Sequence, residues 1–157
     1  MTEPSQYQHE TPPPDANRIP VTVRLPASKP TATYVLIGIT VVIYALQWLS
    51  QGLTSGAYDW PFLLGGKINQ FILQGQLWRL ITPVFLHGNV LHIAFNMYAL
   101  YSLGQSLERY YGHWKFLLLY FIGGFAGNTL SFLLSKNPSM GASTAVFGLV
   151  AAEAVFI

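Results

Sequence analysis

Apolar residues gather into four stretches that hold no Asp, Glu, Lys or Arg: Pro30 to Tyr58, Leu80 to Leu107, Phe116 to Ser135 and Asn137 to Ala152. Crossing about 30 Å of hydrocarbon takes roughly 20 apolar residues at about 1.5 Å of rise each. Three stretches reach that length, and the fourth is cut short by the end of the chain. The pattern predicts helical spans over 31–49, 89–107 and 114–135, and a fourth from about residue 141. The expected fold class is an all-α polytopic membrane bundle of four transmembrane helices, the last one truncated.

The segments between these spans differ in kind. Residues 1–30 hold seven prolines among Thr, Ser, Gln and Glu without apolar periodicity, the composition of a disordered polar tail. The membrane domain is therefore expected over 31–157. No secretory leader is expected, because the first apolar run follows the polar tail instead of opening the chain. The connector from Gln51 to about Gly88 is broken by Gly52, Gly56, Pro61, Gly65, Gly66 and Pro83, yet it is rich in Leu, Ile, Phe and Trp. Such a segment reads as a structured loop at the membrane interface, its backbone groups covered by protein. Short turns, "ERYYGH" and "SKNPS", join the remaining spans into an up-and-down bundle.

Composition agrees with a membrane protein and narrows the chemistry. The chain is 9% charged and 52% hydrophobic, where soluble domains carry about a quarter charged residues. Without cysteine there is no disulfide, thiolate metal site or cysteine nucleophile. A scattered net charge of +2 gives no basic patch for nucleic acid. Lys and Arg near the span ends number five on the side of the tail (Arg18, Arg24, Lys29, Arg109, Lys115) and three on the other (Lys67, Arg79, Lys136). That bias favours a cytoplasmic N-terminus. Spans two and four then both enter from the outer face.

Their first turns carry the candidate chemistry. His92 and Asn96 stand at i and i+4 and share one helix face, and Ser143 opens span four within "MGASTAVFG". A hydroxyl, an imidazole and a carboxamide at one depth in a membrane form a functional cluster by default. Taken singly, each has a plainer reading: Ser143 as a helix cap, His92 and Asn96 as interhelical hydrogen bonds. Gly123 and Gly127 read as close helix packing, and Asn128 and Ser131 as hydrogen bonds between spans. Glu153, ten residues beyond Ser143, lies roughly 15 Å further along the helix and reads as a snorkelling or helix-paired carboxylate. His87 and His92, five apart in "HGNVLH", are expected to point differently, and that string lacks the glutamate and spacing of a zinc-protease helix.

Four ordered motifs over about residues 60–157 resemble the rhomboid intramembrane serine proteases. They are "LWRL" at Leu77 to Leu80, "HGNVLHIAFN" at the start of span two, "LERYYG" at Leu107 to Gly112, and "GASTAVFG" with its Gly-x-Ser at Gly141 to Ser143. The resemblance implies that Ser143 is the nucleophile and that His92 and Asn96, with the Ser143 backbone N–H, stabilise the oxyanion. It assigns structural roles to Trp78, Arg79, Glu108, Arg109 and Gly141. It implies transmembrane protein substrates, an active site opening toward the extracytoplasmic face, and no metal or organic cofactor.

The chain departs from the family pattern twice. Thr144 stands where glycine usually follows the serine, so close packing of that helix is in question. The family's base histidine lies on a sixth span, and none of His9, His87, His92 and His113 fits it. A serine without its base loses roughly 10⁴ to 10⁶ in rate, so the chain alone is expected to be inactive and to be a fragment. The rival expectation is a non-catalytic rhomboid relative that binds membrane clients. Against it stands the retention of Ser143, His92 and Asn96 together.

Overall fold

The computed structural model describes residues 29–155. All but Lys29 and Pro30 of the tail expected over 1–30 lies outside them. The order of elements is α1 (Thr31–Leu53), α2 (Trp60–Gly65), α3 (Asn69–Leu73), two 3₁₀ turns (Leu77–Leu80 and Thr82–Phe85), α4 (Val90–Tyr111), α5 (His113–Leu134) and α6 (Ser143–Ala154). The described residues form no β-strand. A single antiparallel bridge joins Lys67 to Ser139.

Helices stand at all four expected positions, but only α1 and α5 are both long and apolar enough to cross a membrane. Helix α4 has the length, 22 residues, but His92, Asn96, Gln105 and Ser106 dilute its apolar character. Helix α6 has 12 residues, about 18 Å at the helical rise. Among the described residues two helices, not four, thus meet the criterion of length and composition.

The ends of these helices show how the chain is tied together. The residue before α1 is Pro30, which has no capping side chain. Glu108 from α4 takes over that role: its carboxylate accepts the N–H groups of Ala32 and Thr33 at 2.7 Å each and the Thr33 hydroxyl at 2.6 Å. A buried carboxylate on the unsatisfied donors of a helix start is favoured by hydrogen bonding and by the helix dipole. The approach needs Gly104, where a Cβ would sit 2.9 Å from the Thr33 side chain. Asn89 caps α4 by accepting the His92 N–H at 2.8 Å. Gly112, at φ +79°, turns the chain from α4 into α5, a conformation other residues rarely hold.

The connector is structured, as its apolar content predicts. Asp59 caps α2 through the Phe62 N–H at 3.0 Å. Buried Arg79 closes the other end of α2, donating to the carbonyls of Leu63 at 2.6 Å and Gly66 at 2.8 Å. Trp78 reaches the Leu64 carbonyl with its indole N–H at 3.2 Å, while most of its ring stays exposed. Lys67 is fully buried and donates to the carbonyls of Ser135 and Asn137 at 2.8 and 2.9 Å. Its ammonium thereby covers the electronegative end of α5, and burial lowers its pKa below the ordinary lysine value.

One core joins the four long helices to the connector. Leu36 of α1, Val84 of the second 3₁₀ turn, Leu100 and Leu107 of α4, Phe116 and Tyr120 of α5, and Ala142, Ala145 and Leu149 around α6 pack as one cluster. Helices α5 and α6 meet through small residues. A Cβ on Gly148 would lie 2.9 Å from the Gly123 Cα, and one on Gly127 would lie 2.4 Å from the Thr144 Cβ. Gly123 and Gly127 are therefore packing residues, as expected. Asn128 and Ser131 are not ties between spans: Asn128 donates to the Leu80 carbonyl in the connector, and Ser131 meets Ser139 in the loop before α6. Both anchor loops, because α5 is flanked by the connector at that height.

Candidate active site

The site is built where the starts of α4 and α6 meet the end of the connector. Ser143 is the first residue of α6, and the preceding loop is fastened at three places. Ser139 pairs with the Lys67 backbone at 3.0 Å in both directions, the Gly141 N–H donates to the Pro83 carbonyl at 2.9 Å, and the Ala142 N–H reaches His87 Nε2 at 3.5 Å. Gly141 sits at φ +131°, in the region where a side chain is strained.

Space imposes the same demand on Gly141. A Cβ there would lie 2.7 Å from His92 Nε2 and 3.7 Å from Ser143 Oγ. The edge of the imidazole and the hydroxyl thus border one small volume above the glycine. The structure therefore brings His92 together with Gly141 and Ser143, two residues remote from it in sequence. Asn96 is buried one turn further along the His92 face of α4, and one of its amide hydrogens donates to the His92 carbonyl at 2.9 Å.

Hydrogen bonds orient both histidines. The Gly88 N–H approaches His92 Nδ1 at 3.4 Å, so Nδ1 acts as acceptor and the proton belongs on Nε2, the atom facing Gly141. His87 has the opposite tautomer: Nε2 accepts from Ala142, which places its proton on Nδ1. Burial, reinforced by the neighbouring His92, lowers the His87 pKa from 6.5 to about 4. The expectation that these two histidines point differently is corrected, since their rings meet edge to face with centroids 5.0 Å apart. His87 precedes the helix, so helical spacing does not govern its direction.

The remaining sequence candidates lie away from this volume. Glu108 and Arg109 belong to the far end of α4 and His113 opens α5; Glu108 pairs with the His113 ring and Arg109 is exposed. Trp78 and Arg79 brace α2. Glu153 accepts from Ser106 at 3.2 Å, the helix-paired carboxylate expected of it. A cleft of about 490 Å³ between α1 and α5, lined by residues such as Val35, Leu36, Ile39 and Phe121, does not include Ser143.

The sequence pattern does not single out Gln47, which the structure places beside His87. Gln47 is wholly buried in α1 and accepts the His87 N–H at 3.0 Å. A lone glutamine within an apolar span was the available signal, since an unpaired amide there is costly.

Fold and site define an all-helical protein with helices of membrane-spanning length and a serine set beside an imidazole at a helix start. The Rhomboid domain model matches residues 74–157. The Rhomboid protease GluP of Bacillus subtilis (strain 168) is 43% identical over 124 residues, covering 79% of this chain and 24% of that protein. RHOMBOID-like protein 9, chloroplastic, of Arabidopsis thaliana is 42% identical over 97 residues, 62% of this chain and 22% of its own length. Rhomboid-like protease 1 of Toxoplasma gondii is 44% identical over 88 residues, 55% of this chain and 30% of its own. The chain belongs to the rhomboid family, integral membrane proteins that include serine proteases acting on membrane proteins within the bilayer. It spans about a quarter of the length of these curated relatives.

Proposed function

We propose that this chain carries the nucleophile and oxyanion side of a rhomboid-type intramembrane serine endopeptidase. The observation that supports it best is the shared volume over Gly141, bordered by Ser143 Oγ and His92 Nε2. In this reading Ser143 attacks a peptide carbonyl, its proton passes to a base, and negative charge develops on the carbonyl oxygen. The Nε2–H of His92, the second amide hydrogen of Asn96 and the Ser143 N–H at the start of α6 stabilise that charge. One such donor is worth about 3 kcal/mol of barrier.

The base enters the proposal as a residue outside this chain. His87 holds Ala142, His92 faces the oxyanion, and His113 pairs with Glu108 at the far end of α4. Residues 31–157 form the membrane domain, with α4 and α6 joining α1 and α5 as spans, the N-terminus cytoplasmic and the site opening toward the extracytoplasmic face. The substrates are transmembrane proteins cleaved in or near their helices.

In the full-length protein reconstituted in liposomes, Ser143→Ala is expected to abolish cleavage of a transmembrane substrate while membrane insertion is unchanged. His92→Ala is expected to retain a trace of activity, about 100-fold below the parent. Cleavage by the Ser143→Ala protein at the parent rate is incompatible with the proposal.

A further inference from the structure

We propose that Gln47 is a positioning residue for the nucleophile, holding the loop that delivers Ser143 from across the bundle; this rests on Ser143 being the nucleophile. Gln47 lies on α1, and none of its surface is exposed. Its side chain joins three segments. Oε1 accepts the His87 N–H at 3.0 Å, and Nε2 donates to Asp59 Oδ2 at 2.7 Å and lies 3.9 Å from Met140 Sδ. The amide has one possible orientation, because a backbone N–H only donates and a carboxylate only accepts.

Two of these partners lead directly to Ser143. Met140 and Ala142 belong to the loop before α6, and Ala142 is held by the ring of His87, whose backbone Gln47 fixes. The same amide therefore reaches the loop once through Met140 and once through His87. The loop residue between these contacts is Gly141, on which the His92 ring rests. A small shift of that loop moves Ser143 Oγ relative to His92 Nε2, and misplacement by about 1 Å can cost about 100-fold in rate. Asp59 sets the polarity of the arrangement, since its other oxygen caps α2.

The polarity can be exchanged, which separates positioning from general stability. Gln47→Glu places a carboxylate against Asp59, and two carboxylates at hydrogen-bond distance do not both stay ionised without cost. Adding Asp59→Asn restores a donor opposite the new carboxylate. Its amide oxygen still caps α2, and the double variant has the net charge of the parent.

The test reacts the full-length protein in liposomes with a fluorescent fluorophosphonate, recording the maximal labelling rate, the half-saturating probe concentration and the thermal unfolding midpoint. Gln47→Leu and Gln47→Glu are expected to lower the maximal rate about 10- to 100-fold with the half-saturating concentration unchanged. Gln47→Glu with Asp59→Asn is expected to recover most of that rate. Parent-like labelling by Gln47→Leu, or a double variant no faster than Gln47→Glu, overturns the inference. If Gln47→Leu does not fold, the comparison of Gln47→Glu with the double variant decides. Labelling of the parent that survives Ser143→Ala overturns the nucleophile reading and the inference with it. Labelling lost in Ser143→Ala yet untouched in both Gln47 variants overturns the inference alone.

Discussion

Helix α4 carries polar residues at both ends, and their surroundings differ. At its last turn Glu108 is buried and accepts two backbone N–H groups and a hydroxyl from the start of α1, with the His113 ring beside it. At its first turn His92 is partly buried, its Nδ1 turned toward the Gly88 N–H and its Nε2 toward the space over Gly141. The first group satisfies the start of another helix. The second is oriented from behind and presents a donor toward a serine. Polar residues within an apolar bundle thus divide by where their hydrogen bonds lead. A saturated set marks architecture, and in the proposed function an oriented donor facing a serine hydroxyl marks chemistry.

The largest expected effect tests this division directly. Glu108→Ala strips the first turn of α1 of its acceptor, and hydrogen bonds to a charged group are worth about 1.5–3 kcal/mol each. The thermal midpoint and the yield of folded protein should fall steeply, while the folded fraction labels at Ser143 at the parent rate. His92→Ala should do the reverse, leaving the midpoint nearly unchanged while the labelling rate falls. If both variants lose stability and rate in the same proportion, the two ends of α4 do not differ as described.

A smaller effect concerns the seam behind the serine. Thr144 occupies the notch that Gly127 leaves in α5. Gly127→Ala is therefore expected to cost about 1–3 kcal/mol through overpacking. Thr144→Gly in the same molecule should relieve it, giving a coupling of about 0.5–3 kcal/mol in a double-mutant cycle of unfolding free energies. Additive losses would mean that the notch does not hold the threonine. The departure at Thr144 is thus accommodated by a glycine 17 residues earlier in the chain.

The smallest effect is in pH. His87 takes up a proton near 6.5 when unfolded, and burial lowers that to about 4 in the folded protein. Its contribution to stability is complete above about 6.5 and is lost as pH falls toward about 4. The unfolding midpoint of the parent should fall more steeply across that window than that of His87→Asn, which cannot titrate. Equal slopes would show that the ring of His87 is not held neutral.

Much of this architecture was legible in the sequence. Charge-free runs located four helices to within a few residues, and the apolar connector foretold a structured loop. His92, Asn96 and Ser143 stood out because hydroxyl, imidazole and amide groups are rare in apolar runs. What escaped was the pairing. Lys67 reads as an ordinary loop lysine until its ammonium is found at the end of α5, 68 residues away. Asn128 and Ser131 read as ties between helices, and their partners proved to be loops.

The chain's own pattern determined where helices form and which polar groups they bury, because apolar periodicity, caps and glycine act over neighbouring residues. Tertiary structure alone decided which helix start Glu108 caps, that Thr144 meets Gly127, that the two histidines touch, and that Gln47 connects α1 to the loop before Ser143. Those contacts join segments remote in sequence, and a hydrogen bond between them exists only once packing has brought donor and acceptor within about 3 Å.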